Sequence, residues 1–204
     1  MFFIQKKEGK AIMKVLMLNG SRREKGCTFT ALSEVAKALN EAGVETEIVH
    51  AGGDAVNGKV DELVKVIRDK MSSSDGLVVG SPVYFAGASG EITAVLDRLF
   101  ATSEDVLRLK PAAAIASARR AGTTAALDSL NKYFTYAEMP VVSSRYWNMV
   151  HGFKPEDVLA DKEGVQIMHV LGRNMAWMLK CIEAGKKAGV ETPPAEKKIF
   201  TNFI

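Results

Sequence analysis

One stretch of the chain, residues 14–30, constrains the fold more than any other. It begins with an unbroken apolar run at residues 15–18, which is typical of a strand buried on both faces. Asn19, Gly20 and Ser21 then end the run with turn-forming residues, and from Thr28 onward apolar residues recur at helical spacing. The stretch therefore predicts a strand, a polar loop and a helix in direct succession.

The polar loop of this stretch is suited to binding an anion. The first turn of a helix presents unpaired N–H groups and a partial positive charge, and both favour phosphate. Serine and threonine hydroxyls add donors, and Arg22 and Arg23 add charge. The glycine spacing matches neither the nucleoside-triphosphate loop nor the dinucleotide-binding loop. Two interpretations stay open here: a phosphate site, or a turn whose hydroxyls merely cap the helix.

Length and charge exclude several classes of protein. A chain of 204 residues can form one domain with a full core. The net charge of +3 and the lack of a basic run interleaved with aromatics exclude nucleic acid as a partner, and no segment is apolar enough to cross a membrane. Cys27 and Cys181 lack metal-ligand spacing and indicate a reducing, cytoplasmic setting. We expect an N-terminal extension at 1–12, a domain at 13–190 and a tail at 191–204.

The rest of the chain alternates between strands and helices. Strands are predicted at 44–50 (an edge strand), 76–80, 111–117 and 139–142. Residues 51–58 read as turns, and helices are predicted near 59–71 and 162–187. Such alternation predicts an α/β fold of three layers, with a five-stranded parallel sheet covered by helices on both faces.

Three of these strands lead into loops with ligand-type chemistry. The first is the polar loop, the second contains Pro82, Tyr84 and Phe85, and the third contains Arg119 and Arg120. Ligands of such sheets lie beyond the carboxyl ends of the strands. Taken singly, the rings could simply cover the sheet edge and the arginines could be solvated. Three such loops at one edge predict a site.

Two motifs together resemble a known family. Asn19-Gly-Ser-Arg with Gly26 and Thr28 resembles the phosphate loop of NAD(P)H-dependent FMN reductases in the flavodoxin-like superfamily. Residues 80–85, followed by Gly90 and residues 96–98, resemble the loop of that family that contacts the isoalloxazine. Residues 117–123 and 146–152 resemble one branch of it. The resemblance implies a sheet of order 2-1-3-4-5, bound FMN, and a homodimer or homotetramer.

The resemblance also implies which residues contact FMN. Those around the phosphate would be Ser21, Arg23, Cys27, Thr28 and Thr30. Those along the isoalloxazine would be Pro82, Val83, Tyr84 and Phe85. Those at the pyrimidine end would be Ser117, Arg119, Arg120, Gly122 and Thr123. At the start of a helix the thiol pKa of Cys27 could be depressed, although a plain helix residue is the competing interpretation.

One region departs from related iron–sulfur flavoproteins, which carry a cysteine cluster after the second strand. Residues 50–59 contain no cysteine, and the whole chain has two. Because an iron–sulfur cluster takes about four thiolates, we expect neither a cluster nor another metal site.

Two functional classes follow from the resemblance. The first is an FMN-dependent oxidoreductase that takes hydride from NADH or NADPH and reduces a small-molecule acceptor such as a quinone, a flavin, a nitro- or azo-aromatic compound or a metal ion. The second is a flavodoxin-type electron carrier, which would usually be strongly acidic, unlike this chain. A flavin-free scaffold is the third and weakest possibility. No catalytic residue is assigned: His151 reads as structural, and the apolar end of the tail suggests docking on a partner subunit.

Overall fold

A computed structural model describes residues 12–202, so most of the predicted N-terminal extension lies outside the described residues. The strands are β1 (Lys14–Asn19), β2 (Glu45–His50), β3 (Gly76–Tyr84), β4 (Gly87–Ala88), β5 (Ala112–Ala118) and β6 (Met149–His151). The helices are α1 (Cys27–Glu41), α2 (Ala51–Val56), α3 (Val60–Ser72), α4 (Gly90–Thr102), α5 (Glu104–Leu107), α6 (Thr123–Tyr136), α7 (Pro155–Ala160) and α8 (Lys162–Lys187).

Five of the strands form a parallel sheet in the order β2-β1-β3-β5-β6. This is the predicted order 2-1-3-4-5, with β5 and β6 as the fourth and fifth parallel strands. The sixth strand, β4, pairs antiparallel with the end of β3 in a tight hairpin. The predicted α/β class and topology are therefore confirmed, with one short strand added.

The sheet is buried on both faces, as the apolar run in β1 predicts. Leu16 and Leu18 point into a core that includes residues of α3, α4 and α6. Val15 and Met17 point into a second core that includes residues of α1, α7 and α8. The alternation of a strand sends successive side chains to opposite faces, so an uninterrupted apolar run requires a cover on each side. No helix within residues 12–202 is long and apolar enough to cross a membrane.

The predicted strand at 139–142 is wrong in part. Within it, Val141 forms an isolated bridge to Ala112, but the chain then leaves the sheet and resumes pairing at Met149. Pro140 has no N–H to donate to a ladder, which weakens pairing in this short run. Asn148 helps to fill the gap, because its side-chain amide donates to the carbonyl of Ala114 at 3.0 Å.

Two further boundaries differ from the sequence predictions. Residues 51–56 form helix α2 rather than a turn, because Ala51 and Gly52 are buried and packing overrides the poor helix propensity of glycine. The turn at Asn57 and Gly58 does follow it. Strand β3 continues to Tyr84 instead of ending near residue 80, which moves Pro82 and Val83 from a loop into the strand.

Helix α8 spans the predicted 162–187, and its methionine-rich face packs inward. Met168 and Met175 are fully buried against the domain, whereas Trp177 is exposed. Close contact with α1 depends on Gly172, where an added Cβ would lie 2.7 Å from the carbonyl oxygen of Val35. The buried face of α8 thus belongs to the second core described above.

Replacing Gly172 with alanine should destabilise the fold, because the new methyl group meets backbone atoms of α1. We expect a loss of about 1–3 kcal/mol in the free energy of unfolding, measured by urea denaturation. Gly185→Ala in the same helix is the matched control. Its Cβ would lie 3.8 Å from the nearest atom, so this variant should be neutral or gain up to about 1 kcal/mol. Equal stabilities for the two variants would contradict this account of the α1–α8 contact.

Candidate functional site

The loop between β1 and α1 (residues 20–26) is fixed to the neighbouring strand. The backbone N–H of Gly20 donates to the carbonyl of Gly80 at 2.8 Å. The hydroxyl of Ser89, at the start of α4, donates to the carbonyl of Gly20 at 2.8 Å. An added Cβ on Gly20 would lie 2.6 Å from the Cβ of Ile92, so glycine is required by close approach. The β1–α1 loop and the loop after β3 therefore form one rigid unit.

Side chains of the β1–α1 loop also fix its shape from within. The amide of Asn19 donates to the carbonyl of Glu24 at 2.9 Å and accepts from the N–H of Ser21 at 3.1 Å. The hydroxyl oxygen of Ser21 accepts from the N–H of Arg23 at 3.1 Å, so its hydrogen can still be donated to a ligand. Asn19 and Ser21 are both buried. The loop is thus formed in advance of any binding.

Helix α1 begins at the floor of this loop without a cap. Within residues 12–202, no side chain caps it at Gly26, and its first turn carries no acidic residue. Thr28 instead shares a 2.8 Å hydrogen bond with the hydroxyl of Ser117, and Thr30 donates to the carbonyl of Gly26 at 3.2 Å. The interpretation that hydroxyls merely cap the helix is therefore wrong. The first N–H groups of α1 are left to attract an anion.

The carboxyl ends of β1, β3, β5 and β6 meet around a cleft of about 200 Å³. The predicted site residues that line this cleft are Ser21, Arg23, Cys27, Thr28, Pro82, Val83, Tyr84, Ser117 and Arg119. Ala118, Gly152 and Phe153 also line it, and sequence reasoning did not select them. The signal for Gly152 and Phe153 was weak, because the strand that delivers them, β6, is three residues long.

The other predicted site residues do not line the cleft. Besides Thr30, they are Phe85, Arg120, Gly122 and Thr123. The hydroxyl of Thr123 is buried and lies 3.2 Å from the sulfur of Met149. Gly122 has a φ of +101°, and a Cβ there would lie 2.8 Å from the Cα of Ala86, so it supports the β3–β4 hairpin. Arg120 is exposed.

Phe85 occupies the tip of the β3–β4 hairpin and is fully exposed. Its φ is +51° and that of Ala86 is +60°, so both central residues of the turn are left-handed without glycine. The ring borders a second, more open cleft that also involves Arg22, Ala55 and Glu91. Tyr84 lines both clefts.

The sequence left two interpretations of Cys27 open, a thiol with a depressed pKa and a plain helix residue. Partial burial raises the pKa of its thiol, and this outweighs the hydrogen bond from its own backbone N–H and the nearby charge of Arg23, both of which lower the pKa. The sulfur lies 3.7 Å from the carbonyl oxygen of Gly152. The raised pKa supports the interpretation of Cys27 as a plain helix residue, and its thiol lines the wall of the cleft.

His151 does not line the cleft. Its backbone N–H donates to the carboxylate of Asp161 at 2.8 Å, and its ring Nδ1 lies 3.8 Å from the same carboxylate. Asp161 also caps α8 through the N–H of Gly164. The contacts of His151 thus join β6 to α8. In the part of the chain from 12 to 202, no three His, Cys, Asp or Glu side chains are grouped to hold a metal ion.

The chain is similar in sequence and in fold to known proteins. The family model of NADPH-dependent FMN reductases matches residues 13–154. An iron–sulfur flavoprotein of Methanocaldococcus jannaschii is 28% identical over 193 residues, covering 84% of this chain and 100% of that protein. The NADPH-dependent FMN reductase of Escherichia coli is 29% identical over 153 residues, covering 71% of this chain and 74% of that enzyme. An archaeal flavodoxin structure aligns with a TM-score of 0.58 at 15% identity, covering 83% of this chain and 99% of that one, and shows the flavodoxin-like fold.

The bond between Thr28 and Ser117 should behave as a coupled pair. Thr28→Val keeps the shape of the side chain but leaves the buried hydroxyl of Ser117 unpaired, at a cost of about 1–3 kcal/mol in flavin-free protein. Ser117→Ala should cost a similar amount, whereas the double variant should lose clearly less than the sum. Chemical denaturation of the four proteins measures this coupling. Strict additivity would show that the hydroxyls do not interact.

Proposed function

We propose that this chain, which belongs to the family of NADPH-dependent FMN reductases and is therefore an FMN-dependent oxidoreductase, transfers electrons from NAD(P)H to a small-molecule acceptor. One observation carries the proposal most directly. An uncapped helix N-terminus lies at the floor of a cleft whose walls come from the carboxyl ends of four parallel strands. The proposed acceptor belongs to one of the classes named in the sequence analysis: quinones, flavins, nitro- or azo-aromatic compounds, or metal ions.

The donors at the floor of the cleft fit the phosphate of FMN. A phosphate monoester carries about two negative charges near neutral pH and offers acceptor oxygens. The first N–H groups of α1, the hydroxyl of Ser21 and the guanidinium of Arg23 supply donors and positive charge there. Thr28 lines the same floor, and its hydroxyl is oriented by Ser117. We assign the phosphate to this group of residues.

The apolar wall of the cleft fits the isoalloxazine ring of FMN. Pro82 and Val83 present half-buried apolar surface, and Tyr84 adds an aromatic ring. Ser117, which is paired with Pro82 across β3 and β5, and Arg119 line the cleft beside this wall, and we place the pyrimidine end of the flavin there. A cation near that end stabilises the anionic reduced form and raises the potential. Phe85, Arg120, Gly122 and Thr123 are not assigned flavin contacts, because they lie outside the cleft.

In this proposal the chain's own residues bind and orient FMN, and they do not transfer protons. FMN, when bound, supplies the chemistry of accepting hydride from the nicotinamide and releasing electrons to the acceptor. The thiol of Cys27, with its raised pKa, and His151, held by Asp161, have no part in it. A flavodoxin-type carrier is the second candidate, but the net charge of +3 and the exposed Arg119 at the mouth favour a small anionic substrate over docking to a basic partner.

The decisive experiment is a visible spectrum of the purified protein with added FMN, followed by anaerobic NADPH or NADH. We expect uptake of FMN and bleaching of its oxidised band by NADPH without any partner protein. Bleaching by dithionite alone would support the electron-carrier function instead. No uptake of FMN would overturn the assignment of the cleft.

We also propose a cytoplasmic homodimer or homotetramer with the tail at its interface. Arg108 holds the tail by donating to the carbonyl of Pro193 at 3.0 Å, and Lys198 forms an ion pair with Glu104. Beyond these anchors Ile199 and Phe200 are almost fully exposed, at 97% and 84%. Large apolar side chains presented in this way favour burial against another copy. The exposed Cys181 suits a reducing compartment.

Deleting residues 199–204 should therefore shift the full-length oligomer toward the monomer in sedimentation or light-scattering measurements. Replacing the two side chains by serine should have the same effect, because the apolar surface and not the length of the tail is responsible. An unchanged assembly in both variants would exclude the tail as the interface.

A further inference from the structure

The last residue of β2 and the first turn of α2, residues 50–53, pack directly against the β1–α1 loop. The Nε2 atom of His50 lies 2.8 Å from the carbonyl oxygen of Ser21. A carbonyl oxygen accepts only, so Nε2 must carry a hydrogen and donate it. The bond joins residues 29 positions apart in the sequence and is partly buried. It ties the second strand to the centre of the loop.

Gly52 makes the closest approach in this contact. A Cβ there would lie 2.4 Å from the carbonyl oxygen of Ser21 and 2.7 Å from that of Gly20. Both are backbone atoms of the loop and cannot rotate away as a flexible side chain would. Gly52 lies within helix α2, so the requirement for glycine comes from space and not from backbone conformation.

Gly53 has a different role in the same contact. A Cβ on Gly53 would lie 2.6 Å from Cε1 of His50 and 2.9 Å from its Nδ1. The missing side chain therefore leaves the space that the imidazole ring occupies. His50, Gly52 and Gly53 together form one unit, which we call the His50–Gly53 clamp.

We propose that the His50–Gly53 clamp positions Ser21 for the phosphate of FMN. With the clamp in place, each backbone polar group of Ser21 is engaged: the N–H donates to Asn19 and the carbonyl accepts from His50. The hydroxyl oxygen accepts from Arg23, which leaves its hydrogen for a ligand. The clamp residues are positioning residues, since they act on the ligand only through Ser21. The inference rests on the proposed function, because it takes the ligand to be FMN.

The clamp should contribute to phosphate recognition and not to recognition of the ring. The wall formed by Pro82, Val83 and Tyr84 belongs to β3 and is not contacted by the clamp atoms described above. FMN and riboflavin differ by the phosphate alone, so the ratio of their affinities isolates this contribution. General damage to the fold would weaken both flavins, whereas loss of positioning would weaken FMN selectively.

The test measures dissociation constants of FMN and riboflavin by quenching of flavin fluorescence at fixed ionic strength. In Gly52→Ala we expect affinity for FMN to fall by about tenfold or more, with riboflavin changed by less than about twofold. Gly53→Ala should have a similar effect by displacing His50. Gly185→Ala, in α8 and outside the site, is the matched glycine control and should leave both constants unchanged.

A second pair of variants keeps the test informative if Gly52→Ala folds poorly. His50→Gln retains a side-chain N–H donor and should keep more of the FMN affinity than His50→Ala, again with riboflavin unaffected. Equal losses for FMN and riboflavin, or an FMN affinity like that of the unaltered protein in His50→Ala and Gly53→Ala, would overturn the clamp. Failure of the unaltered protein to bind either flavin would instead overturn the proposed function itself.

Discussion

The site depends on the close approach of two backbone segments, at Gly20 and Gly80. The pairing of β1 with β3 ends at Asn19 and Gly80, and the next hydrogen bond continues from Gly20 back to Gly80. Neither position tolerates a side chain: a Cβ on Gly20 would meet Ile92, and one on Gly80 would lie 2.9 Å from the methyl carbon of Thr28. Because the two segments touch, the start of α1 and the apolar wall of Pro82 and Val83 keep a fixed separation. The proposed phosphate and ring contacts of FMN both depend on that fixed separation.

The sequence was informative where one physical signal dominated. The apolar run of β1, the polar loop and the helical spacing of α1 and α8 each act locally and appear in the structure as predicted. It was misleading where packing outweighed local propensity. Helix α2 forms despite two glycines, because those glycines allow backbone contact that no sequence pattern reveals. The raised pKa of the Cys27 thiol similarly comes from burial by distant residues, which competes with the helix start visible in the sequence.

Two residues that line the cleft but were not predicted from the sequence come from the same part of the chain. Gly152 and Phe153 reach the cleft because β6 pairs with the carboxyl end of β5, through Ser117 and Ala118. A strand of three residues has too little alternation to be recognised from the sequence. Residues 50–59 show the reverse case. From the sequence, one noted feature of these residues was the absence of cysteine. In the structure they include helix α2 and contact the β1–α1 loop.

The interruption between Val142 and Met149 has a consequence for how the protein behaves in a crowded solution. An exposed sheet edge offers unpaired N–H and C=O groups that can recruit strands from other molecules. On this side, the outermost regular strand is only three residues long, and the chain bulges away before it. On the other side, the outer strand β2 carries Glu47, which is paired with Lys14 and Lys70. One edge of the sheet is short and the other is charged, so strands of other molecules find few groups to pair with. The sheet therefore does not need to close into a barrel to avoid aggregation.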